Sequence, residues 1–391
     1  MIKIANVDIQ AKEHNFASPE DYFEKRRLSP GIMSAVAINN MSGFRVCILQ
    51  IARKIRSPGK IDLNGLEVFL FPGSPRWYLN KKDLNYRLYS KELEGMLLEG
   101  GWDAVHLNQS SGNNLFRLCG VLAKRGIPYI IHFRGGDLES FTPQRKSTFG
   151  KASAVILNNE DQKKRLLEVL PGMKGKINLI PQGIDPVLFK EGTSRKENML
   201  SFGYAGRIYP HKGIIRAIEF IAFLRSLGYK VSFALAGNFE ERSFESEAKK
   251  LIRELRIEDA VHFTGYLSTE EIVPFYQNIG YLLFLSEHES FGKSVAEAMS
   301  CGAVPIIRTN SSGPEEIIGK GAFGYYLPCE ERWADFAGTL FNETAYFSMR
   351  EKAVRRAAYY SFGNYTDAIS ALYREVAAAG SGGKKREVTD P

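Results

Sequence analysis

Short apolar runs alternate with longer amphipathic stretches along almost the whole chain, the pattern of parallel-sheet α/β domains. In the first half the runs predict strands near Lys3–Val7, Phe44–Ile51, Glu67–Phe71, Ala104–Leu107, Tyr129–Phe133, Ala154–Leu157 and Ile177–Ile180. Helical spacing falls between several of them, as at Asn85–Glu99 and Asn114–Arg125. After the first strand, Ile9–Pro30 is polar, charged and too long for a simple βα turn, which predicts either a ligand-contacting loop or a merely mobile one. Polar residues around Phe189–Asn198 mark a break, and a second alternating series begins. Its strands are predicted near Leu200–Tyr204, Ser232–Ala236, Val261–Phe263, Tyr281–Phe284 and Val304–Ile307. Its helices are predicted near Gly213–Leu227, Ser243–Leu255, Thr269–Gln277 and Ser294–Met299. Residues 1–192 and 193–360 thus read as two α/β domains, and the glycine-rich charged tail 380–391 reads as disordered.

Composition narrows the classes. At roughly 150 residues per domain, 391 residues make two or three domains, and 44% hydrophobic with 25% charged residues excludes bulk disorder and collagen-like chains. The net charge of +8 is uneven: residues 1–192 carry 28 basic and 19 acidic groups, or +9, residues 193–379 carry −2, and the tail +1. Such a field favours an anionic partner, whether nucleic acid, phosphorylated substrate or acidic membrane, and it equally serves plain solubility. Cys47, Cys119, Cys301 and Cys329 lie far apart and read as buried thiols of a reducing compartment. The start of the chain lacks the pattern of a signal peptide, and no apolar run is long enough to span a membrane. The expected location is therefore the cytoplasm, with peripheral attachment at the inner face of the plasma membrane as a further reading.

Several familiar signals fail. A G-x-G-x-x-G string at Gly319–Gly324 follows a helical pattern late in its domain, where a dinucleotide fingerprint has no place. Gly292-Lys293-Ser294 is half a phosphate loop without the upstream glycine. There is no D-x-D, H-E-x-x-H or Cys/His cluster to hold a metal, and no G-x-S-x-G. The informative segment is SEHESFGKSVAEAMSCGAVPII, in which a strand ends, a polar turn follows and a helix starts near Gly292–Ser294. Free N–H groups there would hold a phosphate. Glu289 and Glu297 flank that helix start with seven residues between them, and carboxylates suit hydroxyl-rich ligands. Alternatively, Ser294-x-x-Glu297 is only a capping box. In YAGRIYPHKG, Arg207 and Lys212 follow another strand of the same sheet, as a planar fork and a point charge suited to a diphosphate.

These residues, with LAGN, HFTGYLSTEEI and AMSCGAVPI, resemble glycosyltransferase family four, of the GT-B fold. YIIHFRGGDL, SAVILNNEDQKKRL and LIPQGID resemble the corresponding segments of the first half, so the likeness runs from about Tyr129 to Tyr373. It implies two Rossmann-like domains facing across a cleft: 1–192 for the acceptor, completed by a return helix at 361–379, and 193–360 for a nucleotide sugar. Carried over by position, Arg207 and Lys212 would hold the donor diphosphate, Glu297 the ribose and Glu289 the transferred sugar. The Phe291 and Gly292 backbone would face sugar and phosphate. Gly206 and Gly237 would floor the site, and the turn Gly265-Tyr266-Leu267 would border the base. His132 would lie across the cleft near the sugar ring, while His211 and His288 read as surface residues.

The resemblance implies a retaining, metal-independent hexosyltransferase that needs no cofactor beyond its donor, a UDP-sugar first or a GDP-sugar second. The acceptor would be a cell-envelope polysaccharide, lipopolysaccharide or lipid-linked glycan. The family's glycine-rich loop after the first strand is replaced here by Ile9–Pro30, and the segment from Asp137 to Ala152 is short, so acceptor identity transfers least. Lys25, Arg26, Arg27, Arg53, Lys54, Arg56 and Lys60, with Trp77 and Tyr78, are the candidate contacts to an anionic membrane. A non-catalytic nucleotide- or glycan-binding protein and a GT-B epimerase or phosphorylase stay open. Nucleic acid is disfavoured, for the basic residues lack interleaved aromatics.

Overall fold

The computed structural model describes residues 1–8, 18, 20–22, 30–52, 54–75, 88–109, 112–134, 141–193 and 196–381. The chain divides into two units, Met1–Pro181 with Gly363–Pro391, and Gln182–Phe362.

The first unit is built on an eight-stranded sheet. Its strands are β1 (Ile2–Asp8), β2 (Phe44–Ala52), β3 (Gly59–Leu63), β4 (Leu66–Pro72), β7 (Ala104–Leu107), β8 (Tyr129–His132), β9 (Ala154–Leu157) and β10 (Ile177–Leu179), while β5 (Ser74–Pro75) and β6 (Leu88–Tyr89) form a separate short ladder. The order across the sheet is β10-β9-β8-β7-β1-β2-β4-β3, parallel except for the β3–β4 pair. Consecutive residues of a strand point to opposite faces. Ile131 and Val155 join the core on one face, while Ile130 and Ile156 join the other, which is why the central strands are mostly apolar.

The helix Phe362–Ser381 ends the described chain and belongs to this unit; its Tyr365, Ile369, Leu372, Tyr373 and Val376 are buried in the first unit's core. The return helix therefore spans slightly more than the expected 361–379, and Gly380 and Ser381 extend it. The remaining tail lies outside the described residues. The helix expected over Asn85–Glu99 starts only at Lys91. Ser90 caps it by accepting from the Leu93 N–H, and Leu88–Tyr89 is strand instead.

The second unit has six parallel strands, β11 (Ser201–Ala205), β12 (Ser232–Ala236), β13 (Val261–Gly265), β14 (Tyr281–Phe284), β15 (Val304–Ile307) and β16 (Tyr325–Tyr326). Their order, β13-β12-β11-β14-β15-β16, reverses direction between β11 and β14. Open parallel sheets bind ligands outside the carboxyl ends of the strands beside such a reversal. The unit begins before the break expected at 192/193. Ile184 pairs its N–H with the Tyr360 carbonyl, Gly192 pairs its own with that of Cys301, and Phe189 is buried in the second core. Cys47, Cys119 and Cys301 are buried as expected, but Cys329, just ahead of the turn Glu330–Arg332, is exposed. Among the described residues no helix is long and apolar enough to cross a membrane.

Candidate functional site

The carboxyl ends of β11, β12 and β13 carry a row of glycines. Gly206 donates its N–H to the Ala236 carbonyl and Gly237 to that of Gly265, so three neighbouring strands end level with one another. Gly237 has φ +145°, and a Cβ there would stand 1.9 Å from the Gly206 carbonyl oxygen. No other residue leaves that edge open. Above it lies a cavity of about 500 Å³, bordered by Gly206, Arg207, Gly237, Tyr266, Leu267 and Glu297. Tyr266 is largely exposed at its rim.

Across the strand-order reversal, the helix Lys293–Cys301 follows β14. It starts at Gly292 in the left-handed region (φ +88°), with no side chain capping its first turn. The capping-box reading of Ser294 and Glu297 is thereby corrected. Glu297 is turned toward Lys293 one helical turn back, with which it forms an ion pair, and accepts from the Tyr276 hydroxyl at 3.4 Å. Tyr276 is fully buried, and burial, then the Glu297 charge, pushes its phenol well above the ordinary range, so it stays a donor. A buried carboxylate held between an ammonium and a phenol is oriented for hydroxyl ligands. Phe291 is buried, its ring against Tyr360 at 5.5 Å.

Lys212 and Glu289 are brought together by two packed turns. Glu287 donates its backbone N–H to the His211 carbonyl, and a Cβ on Gly213 would meet the Leu285 carbonyl at 2.4 Å. This close approach sets the turn Pro210–Lys212 against Leu285–Glu289, where Lys212 and Glu289 form a half-buried ion pair. Ser286 donates to the same carboxylate at 3.2 Å. The Arg207 carbonyl accepts from Tyr204, and its guanidinium lies over the Tyr209 ring at 5.4 Å. Lys212, Glu289, Gly265, Phe291 and Gly292 are not among the cavity's bordering residues, whereas Lys293, Ser294, Asn238 and Tyr276 are. The discounted string Gly292-Lys293-Ser294 thus contributes two side chains, and Lys293 is a cation that sequence reasoning passed over. Its adjacency to the Glu297 position, one helical turn along, was the available signal.

His132 sits in the first unit, at the carboxyl end of β8, and is fully buried. Its Nδ1 is 3.3 Å from Nε2 of His106 on β7, with the rings nearly parallel, and His106 Nδ1 is 2.6 Å from the Tyr373 hydroxyl. Burial, followed by the Arg134 charge, pushes His106 down to about 3, and the same causes with His106 added hold His132 well below its ordinary value, so both rings are neutral. His106 and Tyr373 were not singled out in the sequence; only the fold brings them to His132. At the same sheet edge Arg134 donates to Asn108 at 2.9 Å. His211 and His288 are exposed, as expected. Of the candidate membrane contacts, Lys54, Arg56 and Lys60 are exposed, Lys60 being paired with Glu67, while Lys25, Arg26, Arg27, Arg53, Trp77 and Tyr78 lie outside the described residues.

Residues 188–345 match the family model of glycosyl transferases group 1. A D-inositol 3-phosphate glycosyltransferase of Mycobacterium marinum is 25% identical over 255 residues, a match covering 62% of this chain and 54% of the relative. The chain thus spans about half the length of that relative. Sucrose-phosphate synthase of Thermosynechococcus elongatus superposes with a TM-score of 0.70 at 16% identity, covering 97% of this chain and all of the other. HepE of Anabaena, solved with UDP and glucose, gives 0.66 at 18% identity and covers 96% of this chain and all of its own. The fold is GT-B, in two parallel-sheet α/β units.

Proposed function

We propose that the protein is a retaining hexosyltransferase that moves a hexose from a nucleotide-diphosphate sugar to a hydroxyl acceptor without a metal ion. The observation that carries this reading is the cavity at the glycine-lined carboxyl edge, where Arg207, Lys293 and the oriented Glu297 converge beside an uncapped helix start. Arg207, Lys212 and the helix start neutralise the leaving diphosphate. Glu297 takes the ribose hydroxyls and Glu289, steadied by Lys212 and Ser286, takes the transferred sugar. The acceptor hydroxyl attacks the anomeric carbon on the face that the diphosphate leaves. The leaving phosphate oxygen takes the acceptor's proton, so no separate base is required. UDP is the first choice of donor nucleotide, since HepE was solved with UDP and glucose. An acceptor that carries phosphate, on a polyol or a lipid-linked or envelope glycan, suits the +9 of residues 1–192, and the M. marinum relative is named for a phosphorylated acceptor.

Arg207→Ala and Lys212→Ala are each expected to lower kcat for UDP-sugar turnover by roughly 10²–10³-fold, the scale of one lost donor at an electrostatic site. Turnover of UDP-, GDP- and ADP-glucose by the two variants, side by side with the unaltered protein, checks this. Full activity in the double variant overturns the assignment.

A further inference from the structure

The protons of the buried triad Tyr373–His106–His132 can be counted. The Tyr373 hydroxyl is buried, and burial pushes its phenol well up, so it carries its proton. Its one hydrogen-bond partner among the described residues is His106 Nδ1, at 2.6 Å. A buried hydroxyl proton must find an acceptor, and a neutral imidazole accepts at one nitrogen only. His106 Nδ1 is therefore the acceptor and His106 Nε2 bears the ring's proton. That proton points to His132 Nδ1, 3.3 Å away, which in turn becomes an acceptor. The proton of His132 is then left on Nε2, which is buried with no hydrogen-bond partner among the described residues. His132 ends β8 at the carboxyl edge of the first sheet, where α/β sheets meet their ligands.

We infer that Tyr373, acting through His106, fixes His132 as a neutral Nε2–H donor awaiting an oxygen acceptor of the substrate. The opposite polarity, with His132 Nε2 as a base, would leave the Tyr373 proton buried and unshared. Tyr373 and His106 are positioning residues. They tie the tautomer of a β8 side chain to a helix at the far end of the sequence, 267 residues from His106. The inference rests on the proposed function only for what the donor meets: a sugar hydroxyl or a phosphate oxygen.

The test uses the full chain labelled with ¹⁵N at its six histidines. Long-range ¹H–¹⁵N correlation separates protonated from unprotonated ring nitrogens, and His132→Gln assigns the signal. The expected pattern at neutral pH is a protonated Nε2 and a bare Nδ1, with the Nε2 resonance moving on addition of UDP-glucose. Tyr373→Phe is expected to release the pattern into a mixture of tautomers. It should also lower kcat for acceptor-free hydrolysis of UDP-glucose by about tenfold or more with KM unchanged, as a wrong tautomer does in a hydrolase triad. A proton on Nδ1 of His132 in the unaltered protein overturns the relay even if Tyr373→Phe fails to fold. A pattern that Tyr373→Phe leaves intact overturns it as well, and an Nε2 resonance indifferent to UDP-glucose overturns the substrate contact. Lack of any turnover in the unaltered protein strikes the proposed function instead, and the tautomer pattern still decides the relay.

Discussion

His106 and His132 are neutral because they are buried beside one another and near Arg134, and this has a measurable thermodynamic consequence. In the unfolded chain both rings take up a proton near the ordinary histidine value of about 6.5. In the folded chain His106 does so only near 3 and His132 well below its ordinary value. Between those limits the unfolded state binds more protons, so stability is full above the unfolded value and falls as pH drops. Each proton contributes a slope of about 1.4 kcal/mol per pH unit. Urea unfolding followed from neutral to mildly acidic pH is expected to show this loss, and His132→Gln is expected to show a shallower one. Glu67 acts further down the scale. Hydrogen bonds from Lys60 and then Arg45 hold its carboxyl at about 2, so its contribution is present above the ordinary carboxylate range and is lost as pH falls toward that value.

At the scale of elements, the glycine edge and the helices respond oppositely to the same change. Gly237→Ala forces a Cβ into the Gly206 carbonyl in a backbone conformation that suits glycine alone, and is expected to cost about 3 kcal/mol and to remove nucleotide binding. Gly120 lies inside the helix Asn113–Lys124 with open space where a Cβ would go, so Gly120→Ala is expected to stabilise by about 0.5–1 kcal/mol. Thermal melts of the two variants, with UDP titrated into each, check both signs. The elements that could be read in the sequence were those buried on two faces. Tyr129–Ile131 and Tyr281–Phe284 are entirely buried runs of aromatic and aliphatic residues, which no loop would be. The edge strand Gly59–Leu63 alternates between exposed and half-buried positions before the buried Leu63 and has no apolar run to betray it. The site divides in the same way. Of the cavity's lining, Arg207 and Glu297 follow a strand or lie in the first turns of a helix, where local pattern points to them. Tyr276 reaches the cavity from the helix Thr269–Asn278, and only the fold brings it there.

For the whole molecule, a ligand that binds the second unit stabilises it by mass action. UDP at 100 times its dissociation constant is expected to raise the stability of the Gln182–Phe362 unit by about 2.7 kcal/mol, as read by scanning calorimetry. The surplus of basic groups lies in the first 192 residues, so raising salt is expected to weaken acceptor use more than UDP binding. The discontinuity of the first unit also sets an order of events during synthesis. The ribosome delivers all of Gln182–Phe362 before it delivers the last helix, so the second unit holds its complete sequence while the first still lacks Tyr365, Leu372 and Val376. A nascent chain cut short near Phe362 would thus carry the complete sequence of the second unit and an unfinished first core, with His106 lacking its Tyr373 partner. Completion of that core, and with it the polarity of the histidine pair, is timed to the arrival of Tyr373 from the ribosome.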